Sequence, residues 1–369
     1  MPDFRSDTVT KPTPAMRAAI AAAEVGDDVF ADDPSINALQ RHAAEMLGFE
    51  DALFAASGTQ TNLMGLLSHC ERGDEAIVGQ MWHTYRWEAG GMAVLGSIQP
   101  QPLENRPDGT IAIDAIEAAI KPDDPHFAKT RLVGMENTTG GKVLPMDYLR
   151  EVRELTRRRG LAAHLDGARL FNAAVEVARR RAAGERDGDA HGGASTDPRA
   201  VAREICSNFD SVSVCLSKGL GAPVGSLLLG SKPFVARARR WRKMLGGGMR
   251  QAGLLAAGGL HALEHHVDRL AEDHDNARAL AEGLAALGRA NGDAIQVVPP
   301  QTNIVFVQVA DSIAAPFAEH LLAHGVRTTG STGRYGQGLV QRWVTHLDVD
   351  RADVDEALAV AAGFFGSRR

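Results

Sequence analysis

Cysteine is scarce: Cys70, Cys206 and Cys215 are the three among 369 residues. None forms a C-x-x-C pair and no His-x-x-His partners them, which argues against a zinc site. So sparse and odd a set fits a reducing compartment. No apolar run approaches the ~20 residues that a membrane span requires. The opening Met1-Pro2-Asp3-Phe4-Arg5 lacks the apolar stretch of a secretory leader, so the expected location is the cytoplasm. A basic excess is missing as well. Lys and Arg number 40 against 46 Asp and Glu, for a formal net charge of -6, and nothing points to nucleic acid. No repeat of fixed period is visible. What remains is ordinary for a globular enzyme, 44% hydrophobic and 23% charged. At this length one large domain with a smaller companion is the natural expectation.

The pattern along the chain predicts strands and helices in alternation. Helices are expected over Pro14–Ala23 and over Ser35–Leu47, the second opened by Asp33-Pro34 with Ile36, Leu39 and Ala43 at helical spacing. Short apolar strands are expected at Asp51–Ala56, Glu75–Gly79, Arg131–Met135, Leu161–Leu165, Phe209–Leu216 and Val224–Leu229. A charged amphipathic helix lies at Leu149–Arg159. Strands separated by helices imply an α/β fold with a largely parallel sheet covered on both faces. From Gly253 to Leu287 the chain reads as helical, and strands follow at Gln301–Gln308 and Gln341–Thr345. The expected division is an N-terminal arm (1–14), a large domain (15–252) and a smaller C-terminal α+β domain (253–369). Residues 179–198 are rich in charge and Gly and nearly devoid of apolar residues, so they predict an exposed insertion.

Five features carry chemistry. In Ser217-Lys218-Gly219-Leu220-Gly221 a lysine follows an apolar strand, where it is costly unless paired, neutral or covalently used. The glycines behind it allow close approach of a ligand to the backbone. Their spacing fits neither a dinucleotide fingerprint nor a P-loop, in which the Lys follows the glycines. A lysine that holds a carbonyl cofactor fits both facts; a surface lysine is the plain alternative. Asp166, in Leu165-Asp166-Gly167-Ala168-Arg169, ends a buried strand, where open α/β sheets bind ligands. It either caps the next helix or sets a carboxylate against the ring nitrogen of a cofactor such as pyridoxal 5'-phosphate (PLP). Ser57-Gly58-Thr59-Gln60 joins a strand to a helix and forms either a plain turn or an anion site for a phosphate.

His83 is the fourth, suited by its pKa to relay protons or to stack on a cofactor ring. Any one of the 13 histidines can equally be structural; His126 shares this ambiguity, and His265-His266 reads as solvent-facing. The fifth is the arginine set. Arg169 lies close in sequence to Asp166, and Arg342 sits on the strand Gln341–Thr345. Each offers either a fork for an amino-acid carboxylate or a structural ion pair.

Longer stretches of text strengthen one reading. Arg5-Ser6-Asp7-Thr8-Val9-Thr10, Val25-Gly26-Asp27-Asp28-Val29-Phe30, Ser57-Gly58-Thr59-Gln60, Ser68-His69-Cys70 and Ala93-Val94-Leu95-Gly96-Ser97 belong to a pattern. It continues through Glu136-Asn137-Thr138, Asp166-Gly167-Ala168-Arg169-Leu170-Phe171-Asn172, Leu216-Ser217-Lys218-Gly219-Leu220-Gly221, Gly246-Gly247-Gly248-Met249-Arg250-Gln251 and Val344-Thr345-His346-Leu347. Taken together the chain resembles the low-specificity L-threonine aldolases, in the β-eliminating lyase group of fold-type I PLP enzymes. The resemblance implies an aspartate aminotransferase-like large domain with a mostly parallel seven-stranded sheet. It implies PLP on Lys218, Asp166 at the ring nitrogen, His83 stacked on the ring, and Gly58, Thr59 and Arg250 at the phosphate. Arg250 is implied to reach a neighbouring subunit's cofactor. Arg169, Arg342 and Ser6 would clamp the substrate carboxylate, and His126 would face the β-hydroxyl side. The implied assembly is a homotetramer acting on small amino-acid substrates, with no metal and no membrane or nucleic-acid partner. Two departures stand out: Thr139 where the family often has His, and Trp87 where other aromatics occur. The same residues would also serve a phenylserine aldolase, a β-eliminating lyase or an amino-acid racemase, and a non-enzymatic PLP-binding protein is the alternative from another class.

Overall fold

Asp33 shows how local sequence sets the first elements. Its Oδ1 accepts the Ile36 amide at 3.0 Å, Pro34 occupies the first helical turn, and Gly48 ends the helix Pro34–Leu47 at φ +80°. The capped end, the proline and the left-handed glycine each act where helix chemistry favours them. Ile36, Leu39, Ala43 and Leu47 repeat along one face and are buried. Each larger side chain contributes about 1.5–3 kcal/mol on leaving water. The other Asp33 carboxylate oxygen accepts from Gly253 at 2.9 Å, which ties the start of this helix to that of Gly253–His265.

The computed structural model describes residues 1–185, 195–329 and 340–366. The chain divides into two compact units, Pro12–Ser217 with Ala222–Val267, and Met1–Lys11 with Lys218–Gly221 and Asp268–Arg369. The helix Gly253–His265 therefore belongs to the larger unit, whereas the sequence pattern assigns it to the smaller domain. It packs on the helices Pro14–Ala21 and Pro34–Leu47, because Gly258 and Gly259 leave room for Ile20 and Leu39. The arm likewise belongs to the smaller unit only as far as Lys11.

The larger unit is built on a seven-stranded sheet. Its strands are β1 (Asp51–Ala55), β2 (Asp74–Gly79), β3 (Gln99–Leu103), β4 (Lys129–Glu136), β5 (Ala162–Gly167), β6 (Ser211–Cys215) and β7 (Ser226–Gly230). The order across the sheet is β1-β7-β6-β5-β4-β2-β3, and only β7 runs against its neighbours. Every residue of β2, β6 and β7 is buried, as a sheet covered on both faces demands. The helix Gly58–His69 buries Thr61 through Ser68 without a break and packs on β6 and β7. Gly65 on this helix has no side chain to collide with His164 of β5: a Cβ there would stand 2.7 Å from its Cε1. Two strands escape the sequence pattern. β3 reads Gln-Pro-Gln-Pro-Leu, and its prolines are tolerated because it is an edge strand.

The smaller unit carries an antiparallel sheet, β8 (Ile295–Val298), β9 (Ile304–Val309) and β10 (Val340–Val344), in the order β10-β9-β8. β8, four residues long, is the second strand the pattern misses. Helices Leu270–Ala290, Asp311–Ala323 and Arg351–Gly366 accompany this sheet. Phe4 of the arm is fully buried beside Trp343, ring centroids 5.4 Å apart, and its backbone bonds to Arg327 and Val344. The arm is therefore part of this core. Arg179–Ala182, placed in the exposed insertion by composition, instead completes the helix Leu170–Ala182, where Arg179 and Arg180 pair with Glu176. The centre of that insertion, 186–194, lies outside the described residues. His266 is buried, not solvent-facing, while His265 is exposed.

One buried ion pair lies in the larger unit: Arg242 Nη2 reaches Asp28 Oδ2 at 2.5 Å and Arg242 Nη1 donates to the Phe54 carbonyl at 2.7 Å. Asp28→Ala strands the guanidinium without its counter-ion, and the expected cost is about 3–5 kcal/mol. A denaturation midpoint unchanged from that of the parent protein would refute this.

Candidate active site

The site grows from the C-terminal ends of parallel strands, where a carboxylate can be buried and still face a ligand. Asp166 is the penultimate residue of β5 and is 2% exposed. Its Oδ1 accepts the Ala168 amide at 3.0 Å and its Oδ2 accepts from Asn62 Nδ2 at 2.8 Å. Asp166 is thus not the N-cap of the following helix, whose cap position is Arg169. Asn62 also donates to Glu88 Oε1 at 2.8 Å, and the same oxygen meets His83 Nδ1 at 2.9 Å. The His83 amide donates to Glu136 Oε2 at 2.5 Å, which fixes the start of the short helix His83–Arg86 to the end of β4. Burial, then the nearby Asp166 charge, pushes the Glu88 carboxyl above its ordinary range.

The strand-to-helix turn after β1 presents a second feature. Ser57 Oγ accepts the Gln60 amide and the Ser57 carbonyl accepts the Thr61 amide. The amides of Gly58 and Thr59 keep no acceptor among the described residues, at the positive end of a 12-residue helix. Ser226 Oγ, buried and unpartnered, lies 3.5 Å from where a Gly58 Cβ would be.

In the smaller unit, Lys218 is half-buried and its carbonyl accepts from Thr10 Oγ1 at 3.0 Å. Arg342 Nη2 donates to the Arg5 carbonyl at 3.4 Å, so Arg342 of β10 and Ser6 of the arm sit on neighbouring stretches. Ser6 Oγ accepts the Thr8 amide at 3.2 Å. Arg169 is half-buried at the head of its helix, two residues past β5.

Two expected residues are placed elsewhere. His126 is an exposed side chain, 86% accessible, bonded through Nδ1 to Asp124. It precedes β4, whose eight residues run roughly 25 Å to Glu136 beside His83. Within this chain His126 therefore stands at the opposite strand end from His83 and Asp166. Arg250 is exposed and pairs with Asp27 at 3.0 Å. Conversely, Asn62 and Glu88 are central to the cluster yet carry no motif signal beyond lying three residues past Thr59 and five past His83.

The donor set fits PLP. A buried carboxylate with hydrogen bonds on both oxygens, close to a second buried carboxyl group, calls for a cationic partner such as a protonated ring nitrogen. The free helix-start amides fit a phosphate. His83, Glu88 and Asp166 also offer three ligand atoms within 4.8 Å of one another, but the Asn62 amide already donates into both carboxylates.

Comparison with known proteins shows the family and the fold. The chain belongs to the beta-eliminating lyase family, whose model matches residues 3–312. It is 51% identical over 359 residues, 97% of this chain and 98% of the other, to the low specificity L-threonine aldolase of Escherichia coli (strain K12). A threonine aldolase structure from Leishmania major superposes with a TM-score of 0.78 at 21% identity, covering 98% of each chain. A serine palmitoyltransferase from S. paucimobilis, solved with a bound PLP-myriocin aldimine, gives 0.72 at 16% identity over 100% of this chain and 87% of that one. These two likenesses establish the fold as that of the type I PLP enzymes.

Behind Asn62 lie two histidines. Burial pushes His164 down to about 3 and His69, stacked on Phe234, down to about 4. Both stay neutral in the folded chain while the unfolded chain takes up their protons near pH 6.5. Their stabilising contribution is complete above that pH and is lost as pH falls through about 4 to 3. The expected slope is on the order of 1 kcal/mol per pH unit for each histidine between those limits. His164→Gln should flatten the dependence of stability on pH between 4 and 6.5; unfolding curves at four pH values measure it, and an unaltered slope would count against the assignment.

Proposed function

We propose that the protein is a low-specificity L-threonine aldolase that uses PLP to cleave L-threonine, L-allo-threonine and other β-hydroxy-α-amino acids to glycine and an aldehyde. The observation that carries this is the buried Asp166 carboxylate, held by Asn62 beside the His83–Glu88 pair. Identity of 51% to an aldolase of that name over nearly both full lengths supports the choice of reaction.

When bound, PLP supplies an electron sink for whichever bond at the substrate Cα is broken. The residues divide the remaining work. Lys218 would hold the cofactor through Nζ. Asp166 keeps the ring nitrogen protonated, and the Gly58 and Thr59 amides receive the phosphate. Arg169 and Arg342, with Ser6, bind the substrate carboxylate, which selects the Cα–Cβ bond for cleavage. His83, directly or through water, takes the β-hydroxyl proton. The oxygen left behind becomes the aldehyde carbonyl as the Cα–Cβ pair passes to Cα, which a proton then converts to glycine.

His126 and Arg250 enter this reading from a neighbouring copy in a homotetramer, Arg250 at the phosphate and His126 on the hydroxyl side. The exposure of Phe30, Val94, Leu95, Phe127 and Met244 supports such an assembly, since apolar side chains of this size gain by burial. Among the described residues no helix is long and apolar enough to cross a membrane, and the site of action proposed is the cytoplasm.

The purified protein should show a visible cofactor band and release acetaldehyde and glycine from L-threonine. Lys218→Ala should lose both the covalent band and turnover, and His83→Ala should lower kcat by roughly 10²–10⁴-fold. Pyruvate with ammonia, or the opposite enantiomer, as the main product would replace the aldolase with an eliminase or a racemase.

A further inference from the structure

The hydrogen bonds behind Asp166 have only one consistent direction. Asn62 Nδ2 lies 2.8 Å from Glu88 Oε1 and 2.8 Å from Asp166 Oδ2. Its two protons match the two carboxylates, and a flipped amide would set its oxygen against both of them. Asn62 Oδ1 must then accept, and its neighbour is His164 Nε2 at 3.4 Å. His164 therefore carries its proton on Nε2 and leaves Nδ1 bare. Ser211 Oγ, 2.8 Å from that Nδ1, must donate to it. The same oxygen is free to accept from His69 Nε2 at 2.7 Å. Gly65 makes this arrangement possible, since any side chain there would collide with the His164 ring. Burial keeps His164 uncharged, as the tautomer requires.

We propose that Asn62 is a positioning residue whose amide, held in one orientation by the neutral Nε2–H tautomer of His164, ties Asp166 and Glu88 together. It thereby fixes at once the partner of the cofactor's ring nitrogen and the imidazole of His83. The inference rests on the PLP reading above and extends it inward to two residues that touch neither cofactor nor substrate. Without the amide, two buried carboxyl groups face each other with nothing between them, and the Asp166 carboxylate loses one of its two anchors. Gln at position 164 can still place an N–H near the Nε2 position, whereas Leu cannot.

The test uses the full chain freed of cofactor and titrated with PLP, the dissociation constant being read from absorbance. Asn62→Ala and His164→Leu should each weaken binding roughly tenfold, the loss expected for one buried hydrogen bond to a charged or coupled group. His164→Gln should stay within about twofold of the parent protein. A parent protein that takes up no PLP would sink the cofactor reading itself. A parent that binds PLP, with Asn62→Ala and His164→Leu binding equally tightly, would leave that reading standing and overturn this one. A second measurement does not depend on any variant folding: 15N spectra of histidine-labelled parent protein should show His164 neutral with its proton on Nε2. A proton on Nδ1 would reverse the chain of donors and refute the proposal.

Discussion

Burying a carboxyl side chain at the C-terminal end of a central strand is the constraint around which the larger unit is organised. Asp166 has β4 and β6 on either side of its strand, and it is almost wholly removed from water. Polar atoms buried there need hydrogen-bond partners. The chain meets that need with two donors, the Ala168 amide on one oxygen and the Asn62 side chain on the other.

The surrounding architecture follows from that placement. The helix Gly58–His69 begins with the amides of Gly58 and Thr59 and brings Asn62 to Asp166 one turn later. It packs on β6 and β7, and Gly65 leaves room where the helix crosses His164. One element thus sets the spacing between its first amides and the carboxylate. The Glu136 carboxylate at the end of β4 then fixes the turn that brings His83 to the same edge.

Much of this was legible in the sequence, for identifiable reasons. Asp166, Gly58, Thr59 and His83 announce themselves because each lies where an apolar strand gives way to a turn, and strand ends are where an α/β sheet exposes chemistry. Asn62 and Glu88 are silent, because the bond that joins them spans 26 residues and nothing local marks a buried amide or the carboxyl group that it meets. His126, ambiguous in the sequence and given a site role only by the family resemblance, lies ahead of β4, at the other strand end from Asp166 within this chain. The edge strand β3 was hidden by its prolines, and Arg179–Ala182 by a charge run that local composition cannot distinguish from an exposed loop. In the structure that run pairs with the buried Glu176.

In the proposed function the larger unit supplies what any reaction at Cα would need, a ring partner, a phosphate site and an acid–base imidazole, and the smaller one the lysine and, with Arg342 and Ser6, part of the hold on the substrate carboxylate. An electron sink of this kind does not choose among the bonds at Cα; the choice belongs to whatever orients the substrate. Aldol cleavage further requires that the β-hydroxyl lose its proton as the bond breaks, which neither elimination nor racemisation does. On the proposed reading the His83–Glu88 pair is the part of the cluster that would separate an aldolase from its mechanistic relatives. Because Glu88 and Asp166 share the Asn62 amide, that reading ties proton removal and the hold on the cofactor to the same hydrogen bonds.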